Sequence, residues 1–460
     1  MLFGAGVTIV ALFFTACAWI TTPSSRQGAQ TTRDPGPLTA EKTKDPYQTP
    51  RLTGEPDMRV RIGEAVERVE VGGPKEAMVR PLLNAASAVL LPTPLVITAF
   101  DDAWRVRDGA GAEHLFPRPT KSGPDIDVLA IEPPALRPGA ARSARENMLA
   151  VNKQPFPGSL RLHARRDTSP GLFDIVEHVP IESYLPGVVT KELYHDWHLE
   201  TFKAQAIAAR SYALQERRRR MSIGTHFDVE ATQQDQAYLG TTDHTIAHRA
   251  VKDTAGMVLT WDGRVLRAYY SSTTAGRAAS ARDTWPTTAG FEFNLDAPIQ
   301  ASPRDDSDSF SPLFRWEVKR DRTELVQRMK AWGRSANSAV RNIDSVDRIV
   351  VHERNEFGRP RTYRIFQNDG KWYQLSAEQI RLACNHTDGG AFPTVTRDTR
   401  ISSGDFEVER QGQTLIFKGR GFGHGVGMSQ YGAEGMARRG IHAAEILRHY
   451  YPGATIERAY

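Results

Sequence analysis

LFDIVEHVP (Leu172–Pro180) runs without a break into IESYLPGVVTKEL (Ile181–Leu193), and the reading of this junction decides the fold. The first segment is β-rich and the second carries a helical apolar pattern, so a strand is expected to pass directly into a helix. Ser183 is placed as a cap, with Pro186 near the first turn, where proline is tolerated. A longer helix is expected from about Leu199 to Arg219. Its Phe202, Ala206, Ala209 and Ala213 share one face, flanked by Ile207 and Leu214, and the small alanines allow close packing. The Arg217–Arg220 run suits the negative pole of that helix. It reads as a solvated cap, because no aromatic residues interleave it as nucleic-acid binding would require.

Downstream, FDVEATQQDQAYLG (Phe227–Gly240) precedes a helix expected over Thr245–Thr254. Strands follow at Met257–Trp261 and Val265–Ser271, joined at Asp262-Gly263. Pro286–Ser311 is loop-like, and helices are expected at Leu325–Trp332, Gln374–Ala383 and His442–Tyr450. Strands are expected at Val346–His352 and Arg361–Phe366, and Thr414–Gly419 leads into a glycine-rich stretch. Upstream, Met58–Ile62, Val66–Val71, Leu95–Phe100 and Asp125–Ile131 read as strands, and residues 58–166 carry no obvious chemical group. This gives an α+β chain with a β-rich leading region, a scaffold or binding module, before a mixed domain at 167–460.

A second distinctive stretch is GRGFGHGVGMSQYGAEG (Gly419–Gly435). Glycine at alternate positions matches the period of a strand with one bare face, and a tight bulged turn inside a core is the plain alternative. No phosphate-binding register fits it.

The chain has 460 residues, 40% hydrophobic and 25% charged, with a net charge of +5, which suits an anionic polymer partner. Residues 2–20 form an uncharged apolar run, followed by a polar tether over 21–57. This reads as an export signal or membrane anchor, and Phe14-Thr15-Ala16-Cys17 resembles a lipoprotein box in which Cys17 would be lipidated. The bulk of the chain is then expected outside the cytoplasm. Cys17 and Cys384 provide neither a disulfide framework nor a zinc cluster.

Four groups could carry chemistry. Glu192 lies among Val188, Val189, Leu193 and Trp197, where a carboxyl could be held protonated as a general acid, although surface glutamates on amphipathic helices are commoner. His195, His198, His226, His244 and His248 include a four-residue spacing, but no metal motif surrounds it. Ser271, Ser272, Thr273 and Thr274 lack a nucleophile elbow and suit turns or sugar contacts. His424 could be a base or a hydrogen-bonding wall.

PIESYLPGVVTKE (Pro180–Glu192) followed by LETFKAQAIAARSYA (Leu199–Ala213) resembles the SpoIID/LytB family of stage II sporulation proteins D and amidase enhancers. Similar blocks follow in the same order at Gln236–Gly240, Ala268–Ser272 through Gly276, and Gly419–Gly432 with Ile446–Gly453. The resemblance covers roughly Leu172–Glu457. It implies a peptidoglycan lytic transglycosylase acting on peptide-free glycan strands, with Glu192 as the single acid/base and no cofactor. The same blocks suggest Lys203, Gln205, Arg210, Gln236, Tyr269, Tyr270, Ser271, Ser272, His424, Gln430 and Tyr431 as substrate-binding residues. Gln430, Tyr431 and His424 would line a flat wall of the sugar cleft. Some members hold zinc through one His and a Cys/His segment. Here His226 is retained but Glu230, Gln234 and Asp235 replace the soft ligands, so no structural zinc is expected. Glu192-Leu193-Tyr194 stands where the family has Glu-Met-Pro, and Ala275-Gly276 where it has Gly-Gly. The competing readings are a non-catalytic glycan-binding enhancer of a cell-wall amidase and a structural wall anchor.

Overall fold

The computed structural model of the chain describes residues 52–83, 87–119, 127–134, 145–165, 171–232, 235–303, 306–387 and 392–460. Cys17, the apolar run, residues 21–51 of the tether and Gln234 lie outside them, while residues 52–57 at the tether's end pack against the fold. Among the described residues the α-helices are α1 (Ile181–Glu192), α2 (Leu199–Ser222), α3 (Thr245–Asp253), α4 (Ala281–Thr284), α5 (Arg322–Ser335), α6 (Ala377–Asn385), α7 (Gln430–Arg438) and α8 (Ala443–Tyr450). None of them is long and apolar enough to cross a membrane. Strands and helices mix as an α+β fold, and the leading region is mostly β.

The strand at Phe173–Pro180 does pass directly into α1. Ser183, however, is not the cap: the helix begins at Ile181 and Ser183 is exposed within its first turn. The free amides are met from the leading region instead. Glu55 Oε1 accepts from Glu182 N (2.8 Å) and the Pro56 carbonyl accepts from Ile181 N (3.0 Å). A carboxylate there also suits the positive pole of the helix.

The leading strands do not form a free-standing module. Strand Asp57–Val66 pairs antiparallel with Phe173–Pro180 and parallel with Val229–Glu230. These three belong to a seven-stranded sheet, which faces a six-stranded sheet built entirely from residues 68–156. Val71, Ile97 and Val106 of the second sheet share a buried cluster with Val60 and Ile175 of the first, and with Tyr184, Leu185 and Val188 of α1. Trp104 meets Phe173 edge-on, with ring centroids 5.4 Å apart.

Helix α2 is buried on both sides. Phe202, Ala206, Ala209 and Ala213 face α1, while Ala204, Ile207 and Ala208 face a second cluster with α7, α8 and the strand Met257–Trp261. Arg210 is fully buried and forks onto Glu182, with Nε at 3.0 Å and Nη2 at 2.7 Å, while Nη1 donates to the Met257 carbonyl (3.0 Å). It locks α1, α2 and that strand together. The arginine run is not a solvated cap: Arg219 and Arg220 turn back onto the buried Glu216, and Arg217 donates to the Asp57 carbonyl.

A third cluster holds α5, α6 and the strands between residues 316 and 419. Here α6 starts later than expected, because Trp372–Ser376 is a strand and Ser376 forms a capping box with Gln379. The expected strand over Val265–Ser271 is reduced to Arg264–Val265 and Tyr270–Ser271. Between them Arg267 is buried against Glu216 and Tyr212.

Glu177, in the strand leading to α1, is fully buried and accepts from Gly158 N (2.8 Å). Burial outweighs this bond and pushes its carboxyl from 4.5 up to about 7. The folded state therefore binds the proton more tightly than the unfolded chain. The stability associated with this group is full below pH 4.5 and falls as pH rises through about 7. Denaturant titrations of Glu177→Gln are expected to lose that slope, with a difference of about 3 kcal/mol across the window.

Candidate active site

The GRGFGHGVGMSQYGAEG stretch is not a strand. Gly421, Gly423, Gly425 and Gly427 all have positive φ, between 71° and 95°, so the chain advances as a series of left-handed turns. Gly419 ends the strand Thr414–Gly419, paired with Trp316 and Phe406, and Met428–Ser429 joins a ladder parallel to Tyr270–Ser271. At Gly427 a Cβ would lie 1.9 Å from the Tyr269 carbonyl oxygen, so backbone meets backbone there. The turns deliver the chain to the start of α7, where Ser429 caps the helix by accepting from Gly432 N (3.1 Å).

That delivery places Gln430 against Glu192, the last residue of α1. Gln430 Nε2 donates to Glu192 Oε2 (3.1 Å), and Ala237 N donates to Oε1 (3.2 Å). The carboxyl is half-buried. Burial raises its pKa above the ordinary 4.5, opposed only in part by the two hydrogen bonds and by the charge of Lys191. Both donors are uncharged, so neither adds a positive charge that would offset the effect of burial. Behind it, Gln236 Nε2 donates to Tyr270 Oη (3.1 Å) and to the Ala209 carbonyl (3.1 Å), while Tyr184 Oη donates to Gln236 Oε1 (3.2 Å). Tyr270 is raised well above its usual range by burial and by the neighbouring Glu192 charge, so it stays a neutral phenol.

Tyr431 follows Gln430 and is surrounded by rings. Trp197 lies 5.0 Å from it, Phe310 5.3 Å and Tyr194 5.9 Å between centroids. One turn on, the fully buried Glu434 accepts from His198 N (2.9 Å), Thr201 Oγ1 (2.8 Å) and Arg438 Nε (2.9 Å). It thereby ties α7 to the first turn of α2.

The hydroxyl run has a structural task. Thr273 Oγ1 (2.6 Å), Thr274 N (2.9 Å), Ala275 N (2.9 Å) and Ser429 Oγ (3.0 Å) all donate to the buried Asp308 carboxylate. Ala275 and Gly276 both have positive φ, forming an amide nest around that anion. Ser271 is buried, and the Ser272 carbonyl accepts from Tyr431 N (3.0 Å). This clamp, like Glu434, was missed in the sequence. Asp308 lies in the Pro286–Ser311 loop, where an acidic cluster was its only signal.

Other expected contacts fall elsewhere. Lys203 pairs with Glu200 (2.9 Å), Gln205 is fully buried on α2, and Arg210 is the internal clamp described above. Tyr269 stacks on Trp285 with centroids 4.0 Å apart, and its hydroxyl donates to Asn294 (2.8 Å). His424 packs edge-on to Trp285 at 4.8 Å and accepts from Val426 N, and burial lowers its pKa to about 4. It lines a different, small cavity with Arg359 and Glu378 rather than the surroundings of Glu192.

Of the residues weighed as metal ligands, His244 caps α3 and faces the His195 carbonyl, His248 faces the Thr242 carbonyl, and His226 faces Asp174. Glu230 pairs with Arg61, and Asp235 accepts from Glu230 N and Tyr212 Oη. Among the described residues no group of three metal-binding side chains converges.

Residues 170–261 match the family model for Stage II sporulation protein, SpoIID, and residues 291–427 match a domain of unknown function, DUF8618. The chain is 26% identical over 305 residues to the Amidase enhancer of Bacillus subtilis, covering 59% of this chain and 40% of that one. It is 28% identical over 304 residues to the Stage II sporulation protein D of the same organism, covering 62% and 76%. These matches support a place for the chain in the SpoIID/LytB family. It spans less than half the length of the amidase enhancer.

Proposed function

We propose that the chain is an exported lytic transglycosylase that cleaves peptide-free peptidoglycan strands between N-acetylmuramic acid and N-acetylglucosamine. The observation that carries this reading is the Glu192 carboxyl, raised in pKa and held by two neutral donors, Ala237 N and Gln430 Nε2. Protonated, it gives its proton to the glycosidic oxygen. As a carboxylate it then takes the proton from the C6 hydroxyl of the same muramyl residue, whose oxygen closes onto C1 as a 1,6-anhydro ring. Gln430 and Ala237 steady the carboxylate formed between these steps. An extracytoplasmic location, with tethering through residues 1–20 or lipidated Cys17, belongs to the same reading.

The test is digestion of amidase-stripped glycan strands followed by mass spectrometry. Anhydro-muramyl ends are expected, and kcat/KM should fall as pH rises through the raised pKa of Glu192, because the proton is needed at the outset. Reducing ends, or no products, would overturn the mechanism. The match to a protein named Amidase enhancer favours a second reading, a glycan-binding activator of an amidase. Under that reading strands bind without being cut, and peptide release rises only when an amidase is added.

A further inference from the structure

Two large aromatic rings stand in solvent beside Glu192, and the acid/base chemistry uses neither. Tyr194, two residues beyond Glu192, is 39% exposed, and Phe310 is 40% exposed. Both rings pack against Tyr431, the residue after Gln430, with centroids 5.9 and 5.3 Å away. Leaving apolar rings side by side in water costs free energy that burial would recover, so such a patch marks a surface that is covered in use.

Phe310 is held there deliberately. Its loop is pinned to α7 by Asp308 on Ser429 (3.0 Å) and by Arg439 donating to Ser307 Oγ (2.7 Å). The approach is so close that a Cβ on Gly435 would lie 1.9 Å from the Ser307 carbonyl oxygen. Arg438 lies over the Phe310 ring at 4.2 Å and its side chain is 47% exposed, which leaves a cation at the edge of the patch. Pyranose rings present flat C–H faces that pack on aromatic rings, and muramyl residues freed of peptide carry a lactyl carboxylate that an arginine would attract.

We propose that Tyr194 and Phe310, both packed on the buried Tyr431 ring, form an aromatic subsite for the ring faces of a β-1,4-linked N-acetylhexosamine strand alongside Glu192. Segment 291–427, which also supplies the Asp308 clamp, then contributes directly to substrate grip through Phe310. This rests on the glycan-cleaving reading and adds how the strand is held.

The experiment uses the full chain carrying Glu192→Gln, so that the strand is not consumed, titrated calorimetrically with peptide-free glycan strands. Phe310→Ala and Tyr194→Ala are each expected to weaken binding about tenfold, roughly one aromatic contact. Phe310→Tyr and Tyr194→Phe should bind as the parent does, which separates stacking from a general structural role. In the cleaving chain the alanine variants should raise KM more than they lower kcat. If both alanine variants bind like the parent while Glu192-dependent cleavage persists, the subsite is wrong and the cleavage reading stands. If the parent binds no glycan, both fall.

Discussion

Glu192→Gln is expected to lower production of anhydro-muramyl ends by at least about 10²–10⁴-fold, the usual contribution of a positioned acid/base. The substitution keeps the shape of the side chain and an oxygen to accept from Ala237 N, and a flip of the Gln430 amide lets its Oε1 accept from the new NH2, but the titrating proton is removed. Folding should not suffer. Burial makes the ionised carboxyl unfavourable in the folded state, a cost absent below its unfolded pKa and fully present above the raised one. Removing the charge relieves that cost, so the melting temperature at pH 7 should be unchanged or higher. Loss of product with retained or increased thermal stability is the signature of a residue kept for chemistry. Glu192→Gln with undiminished yield would assign the proton to another group.

The second large effect is expected at Asp308. Asp308→Ala strands the donors of Thr273, Thr274, Ala275 and Ser429, all pointing inward at a buried site. Each buried unpaired donor costs about 1–3 kcal/mol, and sharing among them puts the total near 3–5 kcal/mol. Because Ser429 caps α7, the loss should also loosen Gln430 and Tyr431. Chemical denaturation should show the midpoint falling sharply, and ligand-free hydrogen exchange should show α7 opening before α2. An unshifted midpoint would mean that solvent replaces the clamp at little cost.

What the sequence made legible was local. The junction of strand and helix at Pro180 is written in adjacent residues, and the alanine face of α2 repeats within a few turns. The resemblance also led to Glu192 itself. Its partners were not legible, because Ala237 and Gln430 reach it from distant segments through packing that no short pattern encodes. The glycine stretch misled for a physical reason: alternation by twos is the signature of a strand, and it is also what a run of left-handed turns demands. Hydroxyls at Thr273 and Thr274 suggested turns or sugar contacts, and they do serve a turn, but their carboxylate partner lies in a loop with no periodic signal. Ser183 looked like a cap only because Glu55, the group that fulfils that task, lies more than a hundred residues upstream.

The placement of strand Asp57–Val66 has a consequence for how the chain can come into being. Its neighbours are Phe173–Pro180 on one edge and Val229–Glu230 on the other, so both edges wait for sequence made much later. A chain emerging from its amino terminus would carry this strand unpaired, with Met58 and Val60 uncovered, until the helix bearing Glu192 had also appeared. Pairing of this strand is therefore deferred, whereas every strand of the six-stranded sheet at residues 68–156 has emerged before either of its partners. The edge that Val229–Glu230 covers stays open longer still, until residues well beyond Glu192 have emerged.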